Sequence, residues 1–367
     1  MAPGLEIQLI AAVTAAACAL LGTFLVLRGM AMMSDAISHT VLLGIVLSFL
    51  IVRDLDSPFL VLGAAIIGLV TVSLTEALNR TKLVKQDAAI GLVFPALFSI
   101  AVILISRFTR GVHLDNDAVL LGELAFAPFD RTQFLGLDLP HSLVTMSLTL
   151  LFNALLIRLF FKELKLATFD AGLAATLGFS PVLIHYGLMG MVSVTAVGAF
   201  EAVGSILLVG LMVAPPATAY LLTDKLERML GLSVVIGAGS AVGGYWLARS
   251  LDANIAGSIT TVIGAVFLLT FFLAPQRGIF AIWRRRKRQR YQFAQTMLTV
   301  HLFSHEAAPD FDYEREMVHL QEHLRWTKEF AREVVRRAQD ASWILRENRH
   351  LALTESGREH AKTSIEA

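Results

Sequence analysis

Asp35 and His39 stand four positions apart in Ser34-Asp-Ala-Ile-Ser-His39. On a helix this spacing sets a carboxylate and an imidazole on one face, about a turn apart. Together those groups suit manganese, iron or zinc, whereas a calcium or magnesium site would draw on oxygens alone. One helix supplies only two protein ligands, so a complete site needs a second subunit, another helix or water. The same spacing also fits a plainer arrangement, with Asp35 as a helix-start acid at headgroup level and His39 as a hydrogen-bonded packing residue. Glu201, in Val197-Gly-Ala-Phe-Glu-Ala-Val-Gly204, is another acidic group deep in apolar sequence. The glycines around it permit an unwound backbone, and broken helices in apolar surroundings are places where ions bind. A metal ligand, a proton-linked group and a structural hydrogen bond to a freed amide all fit that setting.

The elements that must position these residues are membrane helices. Of 367 residues 55% are apolar and 17% charged, and the mean hydropathy is +0.64, too apolar for a water-soluble globule of this size. Stretches of about 20 apolar residues, enough to cross a bilayer, run over 7–27, 30–52, 59–78, 88–106, 143–161, 230–248 and 255–274. The block 183–222 is too long for one span and is interrupted around Phe200, Glu201 and Gly204, so it reads as two helices. That predicts an all-α polytopic protein with nine crossings, eight being the alternative. Pro215-Pro216 predicts a kink near the inner face.

Lysines and arginines in the short loops set the orientation. Arg80, Lys82 and Lys85, then Arg158, Lys162 and Lys165, then Lys225 and Arg228 fall on one side, which makes that side cytoplasmic. With nine crossings the N-terminus is outside and the C-terminus inside, in agreement with the run Trp283-Arg-Arg-Arg-Lys-Arg-Gln-Arg290. That run anchors the topology and has anionic lipid as a second reading. The outer connection 107–140 is long enough to have a job of its own, and 116–126 within it reads as a short interfacial helix. The N-terminus, with Glu6 ahead of its apolar run, reads as a first span and not as a cleaved leader.

The chain divides near residue 280 into a membrane domain, 1–280, and a cytoplasmic extension, 281–367. The extension holds 16 of the 31 basic and 13 of the 30 acidic residues. In it Phe330, Val334, Val335 and Ala338 follow helical spacing, 312–324 reads as another amphipathic helix, and 351–361 resembles the strand and helix of a winged-helix domain. Beyond residue 290 there are 10 basic against 13 acidic residues, which argues against nucleic acid as a partner. His301, His305, Glu306, His319 and His323 fit a metal sensor as well as solvated helix faces. Cys18, the single cysteine, excludes an internal disulfide and reads as packing.

The segment Thr168-Phe-Asp-Ala-Gly-Leu-Ala-Ala-Thr-Leu-Gly-Phe-Ser-Pro181 is short and rich in small residues, as befits a stub helix that another subunit pushes on or a plain loop. No stretch matches G-x-x-x-x-G-K-[ST], so the chain binds no ATP through a P-loop of its own. No nucleophile–base pair for covalent catalysis stands out.

Three stretches carry a family resemblance. Residues 27–44, from Leu27-Arg-Gly-Met to Leu-Leu-Gly44, resemble the second-span motif of the manganese/zinc/iron ABC permeases. Gln86-Asp-Ala-Ala-Ile-Gly91 resembles that family's entry to the fourth span, and 200–219 its late core motif. Leu43 and Pro216 depart modestly from the usual residues. The resemblance covers about residues 5–278. It implies a long-loop ABC importer permease that is not itself an enzyme, a second permease subunit of the same or a related kind, a cytoplasmic ATPase and an external metal-binding protein. It makes Asp35 and His39 the transport ligands, and it makes Phe169, Asp170, Ala174, Ala175 and Gly178 the ATPase-coupling segment. The metal is cargo, and no cofactor is bound permanently. A permease for metal chelates, a membrane-anchored metal-responsive regulator and an ion-coupled carrier are the competing readings.

Overall fold

The computed structural model describes residues 3–54, 57, 59–108, 124–134, 136–306, 324–347 and 350–366. Most of the expected helices at 116–126 and 312–324 lies outside these residues, as do His319 and His323. The chain forms two compact units, 1–278 and 279–367.

In the first unit the long elements are α1 (Pro3–Leu27), α2 (Met32–Val52), α3 (Phe59–Arg80), α4 (Gln86–Phe108), α5 (His141–Leu159), α8 (Pro181–Leu222), α9 (Leu226–Leu251) and α10 (Ile255–Leu273). All eight are long and apolar enough to cross a bilayer. Helix is the form such segments must take, because lipid offers no partner for an open backbone amide or carbonyl. A small hairpin, β1 (Arg131–Phe134) with β2 (Leu137–Pro140), precedes α5, and two stubs, α6 (Phe161–Phe169) and α7 (Ala171–Thr176), follow it. The span expected over 143–161 therefore closes at Leu159, and the chain turns into α6.

Contacts along the helices fix their directions. α1 and α9 are antiparallel: Gly4 lies against Tyr245, Ala15 against Gly237, and the Thr23 hydroxyl donates to Ser233 at 3.2 Å. One end of the bundle gathers Arg28, Arg80, Lys165 and Arg228 and is called the basic end below. At the other end Arg131 reaches Glu6, at 3.4 Å, and Asp138, at 2.7 Å, which ties the hairpin to α1.

As one straight rod the 42 residues of α8 would run about 63 Å, twice the hydrocarbon core. Gly204 breaks it, with φ 77° and ψ 172°, a region open essentially to glycine alone. His185, before the break, meets Arg28 at the basic end, and Gly198 packs on Thr145 and Met146 near the start of α5, at the opposite end. After the break Met212 and Pro216 lie against Gly22, and the following turn is back at the basic end, where Lys165 pairs with Glu227 at 3.1 Å. The stretch is thus a hairpin of two passes, and the described helices make nine. The backbone stays helical through Pro215-Pro216, where a kink was expected; the departure from helical geometry sits at Gly204.

The second unit comprises α11 (Ile279–His305), α12 (Lys328–Asp340), the hairpin β3 (Ile344–Glu347) with β4 (His350–Leu353), and α13 (Glu355–Glu366). Its core joins Leu298 and Leu302 to Val334, Val335, Ala338, Ile344 and Leu351, so the apolar spacing at 330–338 marks the buried face of α12. Thr327 and Thr354 cap α12 and α13 through their hydroxyls.

Candidate metal site

α2 begins at the basic end through a tight turn. The Met30 amide donates to Leu25 and the Gly29 amide to Val26, with Gly29 at φ 69°. This paired closure, with glycine in the left-handed position, is how a helix ends cleanly and redirects the chain. It leaves Arg28 as the last residue of the turn and sets Asp35 in the first turn of α2.

From there α2 is gripped on one face. Ile37, Thr40, Val41 and Gly44 are buried, and Gly44 lies so close to the backbone of Gly63 and Ala64 in α3 that a methyl group there would collide. Thr71 of α3 donates to the Thr40 hydroxyl at 2.8 Å, next to His39 in sequence. Small residues and hydroxyl bonds are what hold helices together in lipid. Asp35, His39, Leu42 and Ile45 form the less buried stripe of the same helix.

On that stripe the Asp35 carboxylate and His39 Nε2 are 3.4 Å apart, with 29% and 28% of the side chains exposed. α4 supplies the wall: the His39 ring stacks on Phe94 at 5.4 Å and meets the edge of Phe98 at 6.0 Å. The aromatic rings fix the plane of the imidazole while its Nε2 and the carboxylate share one open side. Among the described residues no third His, Cys, Asp or Glu gathers with them. This chain therefore brings together two donors, a carboxylate and an imidazole nitrogen, and no third among the described residues.

Glu201 is not part of that arrangement. It lies exposed, three residues before the break at Gly204, beyond the level at which Gly198 packs on α5. The five residues expected to couple to an ATPase do lie together in one segment. Asp170 caps α7 by accepting from the Leu173 amide at 2.9 Å, and Gly178 turns the chain with φ 88°. Ala174 is buried, while Phe169, Asp170, Ala175 and Gly178 are exposed, so the segment is a knuckle projecting from the basic end.

The family model described as the ABC 3 transport family matches residues 5–274. The chain belongs to the ABC 3 transport family. Similar curated proteins include the zinc transport system membrane protein TroD of Treponema pallidum, 45% identical over 96% of both chains. The manganese transport system membrane protein MntD of Bacillus subtilis is 46% identical over 71% of this chain and 89% of its own. Among solved structures, PsaBC from Streptococcus pneumoniae superposes with a TM-score of 0.64 at 30% identity, covering 76% of this chain and 94% of that one. As an ABC 3 permease the chain is a transport subunit, and ATP hydrolysis belongs to a partner.

One polar cluster of this ABC 3 permease went unmarked in the sequence. At the basic end the Arg28 Nε donates to the Thr168 hydroxyl at 3.2 Å, and a second guanidinium nitrogen lies 3.4 Å from His185 Nδ1. His185 Nε2 is 3.7 Å from Glu76, and Glu76 accepts from Arg80 at 2.8 Å. Burial pulls the Arg28 guanidinium below the usual arginine pKa. The available signal was Glu76 in a predicted span, four residues from Arg80 and so on the same helix face.

Proposed function

We propose that this permease passes a divalent transition metal, manganese, zinc or iron, across the cell membrane, with Asp35 and His39 as its transport ligands. The carrying observation is the pair itself: a carboxylate and an imidazole 3.4 Å apart on the less buried stripe of α2. Ionisable groups in a membrane helix are expensive unless they serve a pathway, and an N/O donor pair is chemistry for these ions. The names of the zinc and manganese relatives support the same cargo.

Two donors leave an ion under-coordinated, so a facing permease subunit, a second copy or a related chain, completes the site with its own pair. The basic end faces the cytoplasm by the distribution of Lys and Arg, and the C-terminal unit is read as a cytoplasmic, winged-helix-like extension. The knuckle at 169–180 exposes Phe169, Leu173, Leu177 and Phe179, an apolar surface suited to an ATPase subunit. An external metal-binding protein delivers the ion at the opposite end. Glu201 stands apart from the pair, and we assign it no share in holding the ion.

The test is metal uptake by the complete transporter. Asp35→Ala and His39→Ala should each abolish uptake while leaving the complex assembled. Wild-type uptake in both variants removes the ligand role.

A further inference from the structure

We propose that Arg28 is the positioning residue that transmits movement of the α6–α7 knuckle to the helix carrying Asp35 and His39. This rests on the transport reading above and adds the physical link between its two ends.

The hydrogen bonds run in one direction because of what each group can do. Thr168 donates its proton to the Leu164 carbonyl at 2.6 Å, leaving its lone pairs to accept from Arg28 Nε. A guanidinium has donors only, so His185 Nδ1 must accept, which puts the imidazole proton on Nε2, facing the Glu76 carboxylate. Arg80 holds the other carboxylate oxygen. The ring is thus held through Nδ1 by Arg28, while Nε2 faces the Glu76 carboxylate at 3.7 Å, too far for a hydrogen bond. The chain Thr168–Arg28–His185–Glu76–Arg80 joins the end of α6, the end of α1, the start of α8 and the end of α3.

Arg28 is the member with a mechanical outlet. It lies directly before Gly29 and Met30, whose amides close the turn, and Asp35 follows seven positions later, with α2 beginning at Met32. Thr168 is the residue before Phe169 at the root of the exposed knuckle. A push on the knuckle therefore reaches Arg28 through one hydrogen bond and α2 through one rigid turn. Bidentate, charge-assisted geometry suits arginine here, and lysine replaces only one arm.

The experiment uses the complete transporter reconstituted with its ATPase and binding protein, reading metal moved per ATP hydrolysed, ATPase rate and manganese affinity. Residues along such links change coupling by roughly 2- to 30-fold. Arg28→Gln should lower metal moved per ATP within that range while ATPase rate and manganese affinity stay near wild type. Thr168→Val should give a smaller fall in the same ratio, and Arg28→Lys should recover part of it. An unchanged ratio in Arg28→Gln overturns the proposal. So does an equal fall in all three readouts, which marks a role in folding alone. If Arg28→Gln does not assemble, Thr168→Val decides: a wild-type ratio there refutes the link. The affinity readout with Asp35→Ala reports separately on the ligand assignment.

Discussion

Two sites in this bundle pair a histidine with a carboxylate, and they differ in everything around them. His185 and Glu76 lie 3.7 Å apart, His39 and Asp35 3.4 Å. The first pair is closed by Arg28 on one side and Arg80 on the other, so the Glu76 charge is already balanced, although His185 Nε2 and Glu76 Oε2 are too far apart to hydrogen-bond to each other. The second faces aromatic rings and an open side, with no cation to neutralise it among the described ion pairs. A carboxylate already faced by guanidinium groups has less attraction left for a further cation than one with no positive charge beside it. The residue types alone do not tell a strut from a ligand site, and the neighbours do.

Breaking the open pair should produce the largest effect. Outer-shell partners alone are worth about 10- to 100-fold in metal affinity, so Asp35→Ala or His39→Ala should reduce uptake by at least ~100-fold with little change in thermal stability. The closed pair should behave in the opposite way. Glu76→Gln strips the charge that Arg80 and His185 face and should cost about 1–3 kcal/mol of stability, read by thermal unfolding in detergent, while manganese affinity stays at the wild-type value. Phe94→Ala sharpens the contrast, because it removes only the ring that orients His39. A stacked aromatic partner contributes ~0.5–1.5 kcal/mol, so affinity should weaken by about 2- to 10-fold in a titration. Thr40→Val deletes the Thr71–Thr40 bond that secures α2 beside the pair. Such bonds in membranes average ~0.6 kcal/mol, so a small drop in unfolding temperature with transport intact is expected.

The helices were legible because bilayer crossing demands long apolar runs, and the doubled block at 183–222 was legible because its length exceeds a membrane's thickness. Asp35 and His39 were visible through their i, i+4 spacing, a relation carried within a single helix. The Arg28 cluster was not. It is assembled from four segments, and His185, Glu76 and Thr168 look ordinary until the fold brings them to one end. Glu201 drew notice for its apolar surroundings, yet its burial depends on which way the chain turns at Gly204, and that is a tertiary fact. Pro215 and Pro216 suggested a kink because proline removes a helix hydrogen bond, but the backbone there stays helical where the segment packs on Gly22 of α1.

The most direct measurement is equilibrium binding of manganese and of zinc to the purified permease complex, wild type beside the Asp35→Ala/His39→Ala double variant. Saturable binding that disappears in the double variant, with Glu76→Gln binding as wild type does, is the expected result. Undiminished binding in the double variant, or loss of binding in Glu76→Gln alone, would mean that the closed pair holds the ion and the open one does not.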